Sequence, residues 1–367
     1  MNRSVLFVQK RPHRAGSQTC LARLLRHESM RGRQPQVVCS SAGWLTEECR
    51  RAGIGVFVEP FPSSRSLAAR WFFNRAFAQR VAAQLNLKAS PPAIVHANDH
   101  WEGLLGLAIA RQMGARTAIF LRSPGMTRQD YFKYRCHAYD LVIAVGEELQ
   151  RRAQSWDPQR DLKLIHDGIE AAEFAPPKPQ APLFPARLLV IGSPLDWKGW
   201  ADLTEALWQL EQAGAMPRLE FDFTGTEPEP VKNDLKLARL RQSTCRFLGR
   251  VEQFRELVLG YDLVINPSRM ESFGMAAMEV IAAGVPLLSS RTGVIEQVIG
   301  QSEFLFPPRQ PEALAHALRN LMQSWPRLGF DPERCQQRIR EKFLITHCAA
   351  RLGAAYDGLL AAGPRKP

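Results

Sequence analysis

The sequence predicts a two-domain α/β protein built on parallel sheets. Three observations lead there: a length of 367 residues, short apolar runs alternating with helical patterns, and a proline-crowded stretch after which the alternation restarts. At roughly 150 residues per domain, the length favours two domains. An apolar fraction of 45% and a charged fraction of 23% belong to a folded globular chain and exclude disorder, collagen and coiled coil.

Ser4–Val8 reads as the first strand, buried on both faces because Val5-Leu6-Phe7-Val8 is continuously apolar. Arg14, Ala15, Gly16, Ser17 and Gln18 then turn into a helix from about Thr19. Further strands are expected at Gln36–Cys39, Ile54–Val58, Ala93–His96, Thr117–Phe120 and Asp140–Ala144, with helical patterns between most of them. Pro176, Pro177, Pro179, Pro182 and Pro185 crowd a stretch that cannot run as helix or central strand. The cycle restarts with a strand at Arg187–Ile191, a glycine turn at Gly192 and a helix from about Trp200. Strands follow at Leu219–Phe223, near Phe247 and at Leu263–Ile265. The expected organisation is a Rossmann-like domain over 1–175, a linker over 176–186 and a second Rossmann-like domain over 187–344. A final helix, about 345–367, is expected to pack back on the first domain. Open sheets of this kind bind ligands beyond the carboxyl ends of their strands, so two facing domains would hold a ligand in the cleft between them.

Lys and Arg number 48 against 36 Asp and Glu, a formal charge of +12, which predicts attraction to phosphorylated ligands, an acidic membrane surface or nucleic acid. No nucleic-acid-reading module accompanies the charge, so nucleic acid is not an expected partner. Seven scattered cysteines, never paired two apart, argue against a disulfide framework or a zinc knuckle and for reduced thiols in the cytoplasm. Val5–Val8 is far shorter than the apolar core of a signal peptide. No window approaches the roughly 18–20 apolar residues of a spanning helix, so any membrane contact is expected to be peripheral.

The stretch from Asn266 to Glu279 carries most of the chemistry. A strand ends at Asn266, a loop carries Glu271, and a helix starts around Gly274 and stops before Gly284 and Pro286. The amides of Phe273, Gly274 and Met275 at that start are suited to phosphate. Eight positions at about 100° each would leave Glu271 and Glu279 about 80° apart if both were helical, so the two carboxylates can address one ligand from different heights. Met275, Ala276, Ala277, Met278, Val280 and Ile281 make the helix apolar nearly all round, and a buried helix rarely carries an idle carboxylate. Lys198, in a strand-to-helix turn beside Gly199, is better placed for an anion than an ordinary surface lysine. His96, Asp99 and His100, near a strand end, carry two readings: satisfied structural groups or ligand contacts.

This pattern resembles the nucleotide-sugar-dependent glycosyltransferases of the family 4 type, which carry two glutamates separated by seven residues. His166-Asp167-Gly168-Ile169-Glu170 with Phe174 resembles the family's Asn-Gly-Ile-Asp segment, and Gly192 with Lys198-Gly199 resembles its phosphate-binding turn. Phe247-Leu248-Gly249-Arg250-Val251 resembles the segment beside the nucleotide base. His96-Ala97-Asn98-Asp99 is similar to the first domain's cleft motif, and Gly16 lies where the family has its glycine loop. The resemblance runs from about Val5 to about Pro308 and implies the GT-B fold, two Rossmann-like domains facing each other across a cleft. It gives Glu271 to the donor sugar hydroxyls, Glu279 to the ribose and Lys198 to the leaving diphosphate, with Asp99 and His100 taking part in catalysis. Gly16, His96, Gly192, Ser193, Arg250, Phe273, Gly274 and Met275 would line the donor. The implied reaction is retaining transfer from a nucleoside-diphosphate sugar to a glycan or lipid-linked acceptor in cell-envelope polysaccharide or glycolipid assembly. No Asp-x-Asp triplet occurs in the chain, so no metal and no further cofactor is expected.

Ser193 stands where the family usually has arginine, and the segment at His166-Asp167 and Glu170 departs from Asn and Asp. A non-catalytic relative that binds nucleotide sugar or glycan is therefore the rival reading. Separately, Arg65, Arg70, Arg75 and Arg80 punctuate Trp71, Phe72 and Phe73. This basic aromatic helix would either lie on an anionic bilayer or pack its rings inward with solvated arginines. Arg23, Arg26, Arg31 and Arg33 add to the same domain's charge.

Overall fold

The computed structural model describes residues 3–62, 67–88, 91–181, 183–214, 217–226 and 240–362, with 67–72 and 86–88 as backbone only. The chain divides into two compact units, Met1–Gly168 with Ile345–Pro367, and Ile169–Leu344.

The first unit holds strands β1 (Val5–Gln9), β2 (Gln36–Cys39), β3 (Gly55–Val58), β4 (Ile94–Ala97), β5 (Arg116–Leu121), β6 (Leu141–Ala144) and β7 (Leu162–Leu164). Around them lie α1 (Gly16–Arg26), α2 (Glu28–Arg31), α3 (Trp44–Arg51), α4 (Leu67–Lys88), α5 (Gly103–Met113), α6 (Arg128–Lys133) and α7 (Glu147–Trp156). The sheet order is β3-β2-β1-β4-β5-β6-β7, and every pairing is parallel. Successive strand side chains point to opposite faces. Val5 and Phe7 of β1 accordingly enter one core with Leu21 and Leu25 of α1, while Leu6 and Val8 enter another with Val81 and Leu85 of α4. This two-sided burial is why β1 reads as an unbroken apolar run.

The second unit repeats the plan with β8 (Arg187–Val190), β9 (Leu219–Phe223), β10 (Ser243–Phe247), β11 (Val264–Asn266), β12 (Leu287–Ser290) and β13 (Leu305–Phe306). Its helices are α8 (Trp200–Gln212), α9 (Phe254–Leu259), α10 (Met275–Ala282), α11 (Ile295–Ile299), α12 (Pro311–Ser324) and α13 (Pro332–Lys342). The parallel order β10-β9-β8-β11-β12-β13 reverses direction between β8 and β11, as the first sheet does between β1 and β4. Such a reversal opens a crevice at the carboxyl ends of the two strands, the place where doubly wound sheets bind ligands. Strands β7, β12 and β13 were not expected, because runs of two to four residues are too short to carry a readable period.

The change of unit falls at Gly168/Ile169, which corrects the expected boundary at 175 and the expected linker at 176–186. Ile169 is fully buried in the second unit's core, and the Ala175 amide donates to Ala282 O at 2.9 Å. The proline stretch is a strap on that unit. The Lys178 amide donates to Gly284 O at 2.9 Å, and Trp325 Nε1 donates to Ala181 O at 2.8 Å. Proline excludes regular structure without requiring a free linker. The last helix, α14 (Ile345–Ala361), belongs to the first unit. There Leu352 and Tyr356 join the core beside α1, and Arg33 Nη2 bonds Gly353 O at 2.9 Å and Asp357 at 2.8 Å.

Arg65 and Ser66 lie outside the described residues, as do the side chains of Arg70, Trp71 and Phe72. Phe73 is 45% exposed, and Arg80 pairs with Glu59. No helix among the described residues is long and apolar enough to cross a membrane.

Candidate functional site

In the second unit, two loops meet where the sheet reverses. The first runs from β8 through Gly192, whose amide donates to Thr224 Oγ1 at 3.0 Å, to Lys198 and Gly199 at the head of α8. Gly199 is held at φ +69, and a Cβ there would sit 1.8 Å from Pro267 O. Only glycine permits the approach. The second loop runs from β11 to α10 and is tied to the first by Arg269. Its amide donates to Trp197 O at 2.8 Å. Its guanidinium takes Asp202 at 2.8 and 2.6 Å and also pairs with Asp196. The bonds to Asp202 raise the Arg269 pKa, with Asp196 adding to them against the cost of burial.

This tie sets Lys198 Nζ 2.6 Å from Glu271 Oε1, with the two side chains 22% and 15% exposed. Ser268 Oγ lies 2.8 Å from Glu271 Oε1 and 2.8 Å from Asn266 Oδ1. Asn266 Nδ2 donates to Ser289 Oγ at 3.0 Å, and Ser290 Oγ donates to Ser268 O at 2.6 Å. This polar bed under Glu271 was missed in the sequence. Its signal was the pair Ser289-Ser290 closing an otherwise apolar run. An ammonium and a carboxylate still open to solvent can exchange partners: an anion that takes Lys198 leaves Glu271 free to accept from hydroxyls.

Gly274 caps α10 at φ +97 with no side chain to bond the first turn, so a ligand can approach that helix end closely. Met275 and Glu279 are half-buried on α10, and Phe273 is buried, its carbonyl accepting from Val294 N at 3.1 Å. Ser193 is half-buried, with its carbonyl accepting from Leu195 N at 2.7 Å. Arg250 is exposed just past β10. No group of three or more His, Cys, Asp and Glu residues among the described ones could hold a metal ion.

In the first unit the corresponding reversal gathers Gln9, Asn98, Asp99, His100 and Glu102. Asn98 Nδ2 donates to Gln9 Oε1 at 2.5 Å. Asp99 accepts from His100 N at 2.8 Å, His100 Nδ1 at 2.9 Å, Arg122 N at 3.1 Å and Ser123 Oγ at 2.5 Å. Burial alone would raise the Asp99 pKa, but these bonds and the His100 charge outweigh it and hold the carboxyl below its usual range. An ionised carboxylate only accepts, so His100 Nδ1 carries the proton. His100 Nε2 is buried and has no hydrogen-bond partner among the described residues. Glu102 is 3% exposed. Burial, then the Asp99 charge, pushes its carboxyl up to about 8, while Oε1 accepts from Lys10 N at 3.0 Å.

His96 corrects the expectation that it binds donor. It is fully buried, stacked on Phe7 at 5.1 Å, 4.3 Å from the Phe120 ring and bonded through Nδ1 to the Tyr356 hydroxyl. Burial, then Arg122, holds its pKa well below the usual histidine value, so it is a neutral core residue. Gly16 is exposed at the first position of α1, which starts three residues before Thr19, and a Cβ there would meet nothing within 4 Å. Close approach therefore does not require glycine at that position. Arg122 and Asp167 form a sealed pair at 2.6 and 2.5 Å, their side chains 4% and 6% exposed. Asp in place of the resembled family's Asn at 167 thus has a physical reason, a buried guanidinium needing a counter-charge.

A family model described as Glycosyltransferase Family 4 matches residues 14–173, and one described as Glycosyl transferases group 1 matches residues 185–324. The glycogen synthase of Mycobacterium tuberculosis (strain ATCC 25618 / H37Rv) is 31% identical over 186 residues, covering 49% of this chain and 42% of that protein. The match thus spans less than half of that relative's length. The lipopolysaccharide core biosynthesis mannosyltransferase LpsB of Rhizobium meliloti (strain 1021) is 26% identical over 294 residues, 74% of this chain and 80% of that one. Among solved structures, Anabaena Alr3699/HepE in complex with UDP and glucose superposes with a TM-score of 0.78 at 15% identity, covering 97% of this chain and 99% of that one. These likenesses give the chain the GT-B fold.

Proposed function

Since the chain belongs to the family 4-like glycosyltransferases, we propose that it transfers a sugar from a nucleoside-diphosphate sugar to a glycan or lipid-linked acceptor. The observation that carries the reading is the Lys198–Glu271 pair, 2.6 Å apart and still solvent-accessible, on the loops that close the sheet reversal beside the glycine-capped start of α10. The diphosphate of the donor takes Lys198 from Glu271 and lies toward the α10 amides. Glu271, released, accepts from the donor sugar hydroxyls over its Ser268 and Asn266 bed, and Glu279 accepts from the ribose. In the reaction the bond from the anomeric carbon to the phosphate oxygen breaks, and a bond to the acceptor oxygen forms on the same face. The acceptor proton passes to the leaving phosphate oxygen. Lys198 neutralises the charge that develops there, an electrostatic contribution of about 3–4 kcal/mol in comparable sites. No metal is needed for these steps. Asp99, through the His100 ring it holds, orients the acceptor hydroxyl. The setting is cell-envelope polysaccharide or glycolipid assembly at the cytoplasmic side of the membrane.

Ser193 in place of the family's arginine favours one rival, a relative that binds without turning over. Thermal shift with UDP, GDP, ADP and CDP and their common sugars, with and without EDTA, separates the two. A ligand at 100 times its dissociation constant adds about 2.7 kcal/mol. One nucleotide is expected to stabilise the wild type equally in EDTA and to leave Glu279→Ala unshifted, with its sugar consumed when acceptor is added. Stabilisation without consumption favours the binding protein, and no shift by any nucleotide contradicts both.

A further inference from the structure

Trp101 is 55% exposed, an informative place for so large an apolar side chain. Its indole is nonetheless ordered from behind. The His100 ring lies 4.4 Å away at 39° and the Tyr134 ring 5.2 Å away at 65°, and His100 is itself anchored through Nδ1 to Asp99. The residue follows directly on Asp99 and His100 at the carboxyl end of β4, where the first sheet reverses. Asn98 Oδ1, His100 Nε2 and Glu102 Oε2 are all buried without a hydrogen-bond partner among the described residues. Folded proteins leave few such atoms, and three within five residues set this segment apart from the rest of the sheet end. An exposed indole that follows in the chain on a carboxylate still 13% exposed, Asp99, matches the two aspects of a pyranose, whose ring faces present C–H groups and whose rim presents hydroxyls. The ionised Asp99 beside it favours a neutral sugar over a phosphate-bearing ring.

We propose that Trp101 is the stacking platform for a pyranose ring of the acceptor. The proposal rests on the transferase reading above and adds the substrate chemistry of its second site. The test is saturation-transfer NMR on the full chain with methyl α-mannopyranoside, methyl α-glucopyranoside and methyl β-galactopyranoside, and separately with UDP, GDP, ADP and CDP. At least one glycoside is expected to receive saturation on the C–H groups of one ring face. Trp101→Leu is expected to weaken that binding about tenfold and Trp101→Phe far less, with nucleotide binding the same in all three proteins. Equal glycoside binding by wild type and Trp101→Leu overturns the platform, as does a wild type that binds a nucleotide but none of the glycosides. Stacking of uridine or adenosine at Trp101 in place of the glycosides also overturns it. A wild type that binds glycosides through Trp101 but binds no nucleotide supports the platform and removes the transferase reading instead.

Discussion

The two units share one strand order around their reversals, yet the groups gathered there are held differently. In the second unit Lys198 and Glu271 are paired but 22% and 15% exposed, on loops locked to each other by Arg269. In the first unit the strongest pair, Arg122 and Asp167, is 4% and 6% exposed, His96 is fully buried, and Asp99 already accepts four hydrogen bonds. The topology sets where a crevice opens. Whether charge in it is available to a ligand depends on how deeply the neighbouring loops bury it. The first unit spends its charge on internal order and leaves an aromatic ring, Trp101, outward; the second leaves a cation and a carboxylate.

Breaking the sealed pair has the largest expected effect. Arg122→Met strands the buried Asp167 carboxylate and is expected to lower unfolding free energy by about 3–5 kcal/mol, measured by denaturant melts. Arg122→Met with Asp167→Leu is expected to recover most of that loss. A single variant as stable as wild type would erase the contrast between the units. Lys198→Ala is expected to lower kcat/KM for sugar transfer about 10²–10³-fold, with a far smaller change in the melt than Arg122→Met. A large stability loss with unchanged turnover would make Lys198 another structural charge.

The smallest effect concerns Glu102. Its folded pKa of about 8 lies above the ordinary value of 4.5. The protonated form is thus favoured by folding, and its contribution is complete below 4.5 and lost as pH rises through 8. At about 1.4 kcal/mol per unit, Glu102→Gln is expected to gain about 3 kcal/mol on the wild type between pH 5 and pH 7. Parallel stability curves for the two proteins would place Glu102 in water.

Much of this was legible in the sequence for identifiable reasons. β1 is apolar on nearly every residue because it is buried on both faces, α10 because five of its eight residues are buried, and Gly199 and Gly274 mark backbone that no other residue could replace cheaply. What was not legible depends on distant pairings. Nothing local to His96 tells that Phe7, Phe120 and Tyr356 close around it, since Tyr356 is brought there by α14 from the far end of the chain. Asp167 gives no sign of Arg122 until the sheet is assembled. The prolines between 176 and 186 were read for what they forbid, and their carbonyl and amide bonds to the second unit could not be seen in them.

The central claim, that the second unit's reversal and not the first's takes the nucleotide, is tested most directly by hydrogen exchange with UDP, GDP, ADP or CDP present. Added protection is expected over Gly192–Trp200 and Phe273–Glu279, abolished by Glu279→Ala, with the amides of His96–Glu102 unchanged. Protection confined to His96–Glu102, or added protection at 192–200 that survives Glu279→Ala undiminished, would contradict it.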